Sequence, residues 1–213
     1  PQATFGVIPD VRPSMEGTFD LAGYPSSYSD IVALMVLEHQ AHMANLITRL
    51  GWEARRVEHR ESMTAPSDRG RSTDDGRFNE LVDEAAVELV DYLLFVDEVP
   101  IPSGIAGTSG FDTVFSQRGP FDQRGRSLRE FDLEDRLFQY PCSYMIYTSS
   151  FDALPARALE TVFARLWAVL SGEVTEAPYD RLSYTERQAI VEILIDTKTN
   201  LPDYFVPLSA AVP

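Results

Sequence analysis

Two histidines and a glutamate follow directly after an uninterrupted apolar run. Residues 31–37 (IVALMVL) are all apolar, and they continue into Glu38, His39 and His42 with no turn signal between them. A helix that is apolar on every side is normally buried. Titratable groups that continue along a buried helix need partners, because burying them alone is costly. This stretch is therefore the best candidate for a site.

Helical spacing places four polar side chains of this stretch on one stripe, which consists of Glu38, His42, Asn45 and Arg49. His39 lies on the neighbouring stripe. Three interpretations are open. The stripe is a hydrogen-bonded polar seam between packed helices, or Glu38, His39 and His42 hold a metal or haem. The third is a hydrolase or lyase in which His42 is the catalytic general base and Glu38 orients it. We favour the polar seam.

Known metal and haem motifs do not match these histidines. The di-iron motif Glu-x-x-His fails, because the residues three before His39, His42 and His59 are Val, His and Arg. The order Glu-His-Gln-Ala-His is not the zincin motif, and no Cys-x-x-Cys-His is present for covalent haem. Haem held without a covalent bond, or a transition metal, stays open as a cofactor. The sequence requires neither.

A second candidate site is the long connection over residues 99–126. Its glycines let backbone N–H groups approach an anion, and Arg118, Arg124 and Arg126 add bidentate donors. These arginines are predicted either to bind an anionic ligand or to pair with carboxylates of the chain, such as Asp112, Asp122, Glu130 or Asp132. We favour the pairing.

Two further features are interpreted as structural. Glu80, Glu84, Glu88 and Asp91 share a helical face, which in so acidic a chain is predicted to be solvated. Cys142 is the only cysteine, so no disulfide forms within the chain, and its apolar surroundings predict a buried, inert thiol.

The elements that must position these residues are helices. Predicted helices cover about 29–60, capped by Ser27 or Ser29, and about 77–97. Further helices start at the capping box Ser127–Glu130, at Pro155 and at the capping box Ser183–Glu186. A short helix is expected at 111–117. The chain is thus predicted to be all-α, with five or six helices in one domain over residues 29–205. An extended arm (1–28) precedes this domain, and a tail (206–213) follows it.

Composition narrows the classes of partner. The chain of 213 residues has 33 acidic and 18 basic residues, for a net charge of −15. Such a surface repels nucleic acid. Residues 31–37 are too few to span a bilayer, so no transmembrane segment is predicted. Other protein subunits are the expected partners.

Four segments of the chain resemble an uncharacterised family of exported bacterial proteins with no established activity. They are MVLEHQAHMANLITR (35–49), FVDEVPIPSGIAGTSGF (95–111), RGPFDQRGRSLREFDLEDRLFQYPCSYMIY (118–147) and AIVEILIDTKTNLPDYF (189–205). The resemblance covers about residues 29–205. It implies an extracytoplasmic setting and no catalytic residue. The leading hypothesis is a non-catalytic accessory or binding subunit of a larger assembly. The alternatives are the metal- or haem-binding redox protein and the hydrolase or lyase.

Overall fold

The structure is a computed structural model, which describes residues 16–18, 20–23, 29–64 and 73–208. Within these ranges the chain forms six α-helices and no strand. The helices are α1 (Ile31–Met63), α2 (Thr73–Leu93), α3 (Phe111–Ser116), α4 (Ser149–Asp152), α5 (Ala156–Ser171) and α6 (Tyr184–Thr197). Two short 3-10 helices lie at Tyr144–Tyr147 and Tyr179–Arg181. The predicted all-α fold with five or six helices is confirmed.

Some sequence predictions fall outside the described residues. They concern most of the extended arm at 1–28 and the end of the tail at 209–213. Within the described ranges, no helix is both long enough and apolar enough to cross a bilayer.

The core forms where α1 packs along α2, with α5 against α2 and α6 against α5. Each helix contributes one apolar face at helical spacing, as expected for an amphipathic helix. The largest fully buried side chains of this core include Met43 and Leu50 of α1, Leu89 and Leu93 of α2, and Leu166 and Leu170 of α5.

The predicted starts of the last two helices agree with the structure because local signals set them. α5 follows Pro155 and ends at Gly172, which has a left-handed φ of 87°. The capping box that opens α6 is complete, since Ser183 Oγ accepts from the Glu186 N–H and the Glu186 carboxylate accepts from the Ser183 N–H.

The predicted helix after Ser127 is wrong. Half of its capping box forms, since the Ser127 N–H donates to Glu130 Oε1 at 2.7 Å. The chain then turns back, and an isolated antiparallel bridge joins Phe131 to Phe138. The Asp132 carboxylate accepts from the backbone N–H groups of residues 134 and 135, each at 2.9 Å. An aspartate that bonds its own following backbone competes with a helix, which explains the difference.

A carboxylate that caps α1 also holds the long connection. Asp30, rather than the predicted Ser27 or Ser29, is the N-cap, and its Oδ1 accepts from the Ala33 N–H at 3.0 Å. Its Oδ2 accepts from Thr108 N (3.0 Å), Ser109 N (2.9 Å) and Ser109 Oγ (2.6 Å). A Cβ on Gly107 would lie 3.1 Å from Oδ2, so the loop approaches closely because residue 107 is glycine.

The sequence predicted that the apolar run at the start of α1 is buried on all sides, and this prediction is wrong. Val32 and Val36 are buried, whereas Ile31, Leu34 and Leu37 are 47%, 53% and 60% exposed. An apolar run does not by itself reveal which of its faces the fold covers. This part of α1 therefore presents an apolar surface to its surroundings.

Replacing Asp30 by Asn is expected to lower the free energy of unfolding by about 2 kcal/mol at pH 7. Burial alone would raise the pKa of Asp30, but hydrogen bonds from Ser109, Ala33 and Thr108 outweigh it and lower the pKa from 3.8 to about 2. The stabilisation is complete above about pH 4 and is lost as the pH falls towards 2. Urea unfolding between pH 7 and pH 3 measures it.

The control is Asp83→Asn, which alters an exposed carboxylate of α2 and is expected to change the free energy of unfolding by less than about 0.5 kcal/mol. Equal stabilities of the Asp30→Asn variant and the wild type at pH 7 would contradict the role of Asp30.

Candidate functional site

A groove of about 760 Å³ lies between the N-terminal half of α1 and the C-terminal half of α2. α1 lines it with Met35, Glu38, His39, His42 and Leu46, and α2 with Glu84, Val87, Glu88, Asp91 and Tyr92. The residues that follow α2 (95–98) and Leu137 complete the lining. The groove thus forms at the stretch of α1 that the sequence singled out.

α1 presents two different sides to this groove. His39 lies on the buried face, with only 4% of its surface exposed, whereas Glu38 and His42 are exposed on the wall. Asn45 and Arg49 are exposed as well. The predicted stripe from Glu38 to Arg49 therefore exists, but the prediction that it is a buried polar seam is wrong. α2 packs on the face that carries His39, and this turns the stripe towards solvent.

Carboxylates dominate the polar lining of the groove. They are Glu38, Glu84, Glu88, Asp91, Asp97 and Glu98, and no Lys or Arg of the described residues lines the groove. At the rim, Arg49 forms an ion pair with Glu88. The Tyr179 hydroxyl donates a hydrogen bond to Asp91 and accepts one from Arg165 at 2.8 Å. The remaining excess of negative charge makes the groove attractive to cations.

The predicted solvated face of α2 forms the wall opposite Glu38 and His42. Glu84 and Glu88 are exposed there and Asp91 is half-buried, whereas Glu80 lies outside the groove. Exposure to solvent is confirmed for Glu80, Glu84 and Glu88, but Asp91 is half-buried and accepts a hydrogen bond from Tyr179. The position of Glu84 and Glu88 across the groove from α1 follows from the packing of the two helices, which the sequence had not indicated.

Aromatic rings lie beneath the carboxylates. The Tyr92 ring centre is 5.1 Å from that of His39 and 4.4 Å from that of His42. Phe95 stacks on His39 at 4.8 Å with 19° between the ring planes. Burial, followed by the charge of Glu38, raises the pKa of Tyr92, so its hydroxyl stays protonated. The groove therefore combines an apolar, aromatic floor with an acidic rim.

His39 is a structural residue at the base of the groove. Its Nε2 lies 2.6 Å from the buried Ser143 Oγ, which also accepts from the Met145 N–H at 3.1 Å. Burial, together with the nearby His42, lowers the pKa of His39 from 6.5 to about 4. The imidazole is therefore neutral at pH 7. We assign Nε2 as the acceptor, since the Ser143 hydroxyl proton is free to be donated to it.

The arrangement does not match the predicted metal site. No group of three or more His, Cys, Asp or Glu side chains among the described residues is placed to hold a metal ion, and this includes Glu38, His39 and His42. The Nε2 atom of His39 is already bonded to Ser143 and is not available to a haem iron, whereas His42 is exposed on the groove wall.

The hydrolase or lyase hypothesis requires a concave surface beside His42, the predicted general base. His42 does lie on the wall of the groove. The orienting role of Glu38 is not seen, since no hydrogen bond joins Glu38 to His42 in the described structure.

The three arginines of the long connection do not converge on an anion site. Arg126 pairs with Asp122 and Glu192, both at 2.7 Å, and Arg124 pairs with Glu192 at 2.7 Å. The prediction that these two arginines pair with carboxylates is confirmed. Arg118 is exposed beside Arg129. Burial is the main cause that lowers the pKa of Arg129, and the nearby positive charge of Arg118 lowers it further.

Cys142 is fully buried, and its burial raises the pKa of the thiol to about 12. A thiol with so high a pKa is protonated at neutral pH and is a poor nucleophile. The prediction of a buried, inert cysteine is confirmed.

Sequence reasoning missed two residues of the site. Tyr92 lies within the predicted helix over about 77–97 but received no role there, and Ser143 received none either. The signal available for Tyr92 was its residue type, since a tyrosine at the edge of an apolar helical face usually directs its hydroxyl to a polar boundary. Nothing in the sequence pairs Ser143 with His39, because 104 residues separate them.

Comparisons with protein family models, with curated proteins and with solved structures found no match to this chain. The resemblance to an exported bacterial family therefore stays a prediction. What the groove does must be inferred from its own residues.

The His39 imidazole is expected to titrate near pH 4, well below the ordinary histidine pKa of 6.5. In an NMR titration, the ring C–H signals of His39 stay constant from pH 8 to about pH 5. The signal is assigned by its loss in His39→Gln. A titration of His39 near 6.5 would show that its ring is solvated. Because the pKa is lowered in the folded state, this residue stabilises the fold fully above about pH 6.5 and less as the pH falls towards 4.

Replacing Ser143 by Ala is expected to reduce the free energy of unfolding by about 1–3 kcal/mol, because the buried His39 Nε2 loses its partner. Chemical denaturation at pH 7 measures the change. Ser150→Ala is the matched control, since Ser150 is exposed on α4 and its loss should cost less than about 0.5 kcal/mol. Equal effects of the two substitutions would argue against a special role for Ser143.

Proposed function

We propose that this protein is a non-catalytic binding subunit whose α1–α2 groove receives a basic, amphipathic segment of a partner protein. The observation that carries the proposal is the lining of the groove, which places six carboxylates around an apolar and aromatic floor. A location outside the cytoplasm rests on the family resemblance alone and stays a prediction.

Charge and shape together select the kind of occupant. The groove lies between two antiparallel helices, and an amphipathic helix can lay its apolar face into an apolar groove of this kind. Leu46, Val87 and Leu137 offer contacts to apolar side chains, while Glu38 and Glu84 on opposite walls offer partners to Lys or Arg. A purely apolar ligand would leave Glu38 and Glu84 unpaired, and an acidic one would be repelled.

The aromatic rings of the groove also favour a basic occupant. A guanidinium or ammonium group that enters between the walls comes close to Tyr92, whose ring face attracts cations. Because the Tyr92 hydroxyl stays protonated, the attraction from this residue comes from its ring rather than from a phenolate.

Binding is tested with a fluorescein-labelled amphipathic helical peptide built from Leu and Lys, and with a matched peptide in which Glu replaces every Lys. Fluorescence anisotropy is expected to show saturable binding of the Lys peptide only. The affinity should fall steeply between about 0.05 and 0.5 M salt, since the pairs are partly exposed and screened. Equal binding of the two peptides would contradict the proposal.

Groove variants locate the interaction. Glu84→Gln and Glu38→Gln should each weaken binding of the Lys peptide about three- to tenfold. Glu58→Gln removes an exposed charge of α1 outside the groove and should leave the affinity unchanged. If Glu58→Gln weakens binding as much as the other two, the attraction is a general effect of net charge and the groove is not the site.

A further inference from the structure

The outward face of α1 carries a continuous band of apolar and small side chains. The band consists of Leu34, Leu37, Ala41, Ala44, Thr48 and Trp52, all of which are exposed. At 100° per residue these positions fall within about 80° of the helix circumference. Leu34, Leu37 and Trp52 are 53%, 60% and 64% exposed. Large side chains are rarely left aligned in this way on a surface that contacts only water.

The spacing within the band is that of a helix–helix seam. Successive members are separated by three, four, three, four and four residues, which is the pattern of apolar residues in a coiled coil. This seam lies opposite the buried face of α1, so α1 has one apolar face towards the core and another towards the outside. The groove lies between them.

We infer that this band binds the same band of a second copy of the chain, with the two α1 helices antiparallel. The band is complementary to itself when the helices cross near residue 43. Ala41 then lies opposite Ala44 of the other copy, and the two small residues let the helices approach closely. Leu34 lies opposite Trp52, and Leu37 lies opposite Thr48. A contact of this kind is isologous, so each pairing occurs twice.

Charges beside the band fit the same register. Glu38 lies on the flank that faces the groove, and so does Arg49, eleven residues later. In an antiparallel pair centred near residue 43, Glu38 of each copy lies opposite Arg49 of the other. Both side chains are exposed, and the Arg49 side chain keeps 49% of its surface accessible although it pairs with Glu88. In a parallel pair, Arg49 of the other copy would lie eleven residues along the helix from Glu38, so the two charges would not meet.

The oligomeric state of the full chain tests the inference first. Sedimentation equilibrium at about 100 µM is expected to give a dimer, and Leu37→Glu should raise the dissociation constant at least about tenfold. Val206→Glu is the control, since Val206 is 51% exposed in a segment whose Phe205 packs on α5. A monomeric wild type overturns the inference. The band would then be covered by something other than a second copy, such as residues 1–28 or an unrelated protein.

A charge exchange tests the register. Glu38→Arg and Arg49→Glu are each expected to weaken the dimer, and the double variant should restore its dissociation constant to within about threefold of the wild type. Additive weakening in the double variant would contradict the antiparallel pairing. This readout does not depend on peptide binding in the groove, so it can fail while the proposed function holds.

Cysteine cross-linking tests the direction of the helices. A mixture of Leu34→Cys and Trp52→Cys chains should form a mixed disulfide dimer, while Leu34→Cys alone should not. Cys142 does not compete, because it is fully buried. Cross-linking of Leu34→Cys to itself would show a parallel contact and overturn the proposed arrangement.

Discussion

The hydrogen bond between His39 and Ser143 joins three segments that are far apart in the sequence. His39 belongs to α1 and stacks on Phe95 just beyond α2. The Ser143 N–H donates to the Leu93 carbonyl at the end of α2, and its Oγ accepts from the Met145 N–H at the start of a 3-10 helix. Burial keeps the His39 imidazole neutral, and a neutral Nε2 can accept the hydrogen bond from Ser143. That hydrogen bond in turn gives the buried imidazole its polar partner. The rotation of α1 against α2 is fixed at this point.

That rotation decides what the neighbouring residues of α1 do. With His39 facing inwards, Glu38 and His42 are placed on the wall of the groove rather than inside the core. The buried imidazole is thereby separated from the exposed carboxylates, which lie in contact with water. The same few residues of α1 thus supply both a rigid base and an acidic surface. Such a surface suits reversible binding of a basic partner, because exposed charges select a ligand with little cost of desolvation.

Local signals in the sequence predicted most of the helices, while the site depended on packing that those signals do not contain. The helix start at Pro155 and the capping box at Ser183 act within a few residues, so they could be identified directly. The box at Ser127 failed because Asp132 offers the next backbone N–H groups a competing partner. The apolar run of α1 was assigned to the core, since hydrophobicity alone does not distinguish a buried face from one that awaits a partner. The groove became visible only once α2 was placed beside α1.

α1 is the longest element of the fold, with 33 residues and a length of about 50 Å, and the core covers only one of its faces. The other two faces are the acidic groove wall and the outward apolar band, which share an edge at Glu38 and Arg49. In an antiparallel pair the two-fold axis maps the groove flank of one α1 onto the groove flank of the other, so both grooves open on the same side. The paired charges of residues 38 and 49 would then connect them. Self-association would therefore turn two short acidic grooves into one longer surface, and a partner with two basic segments could bind it with higher avidity than a single groove allows.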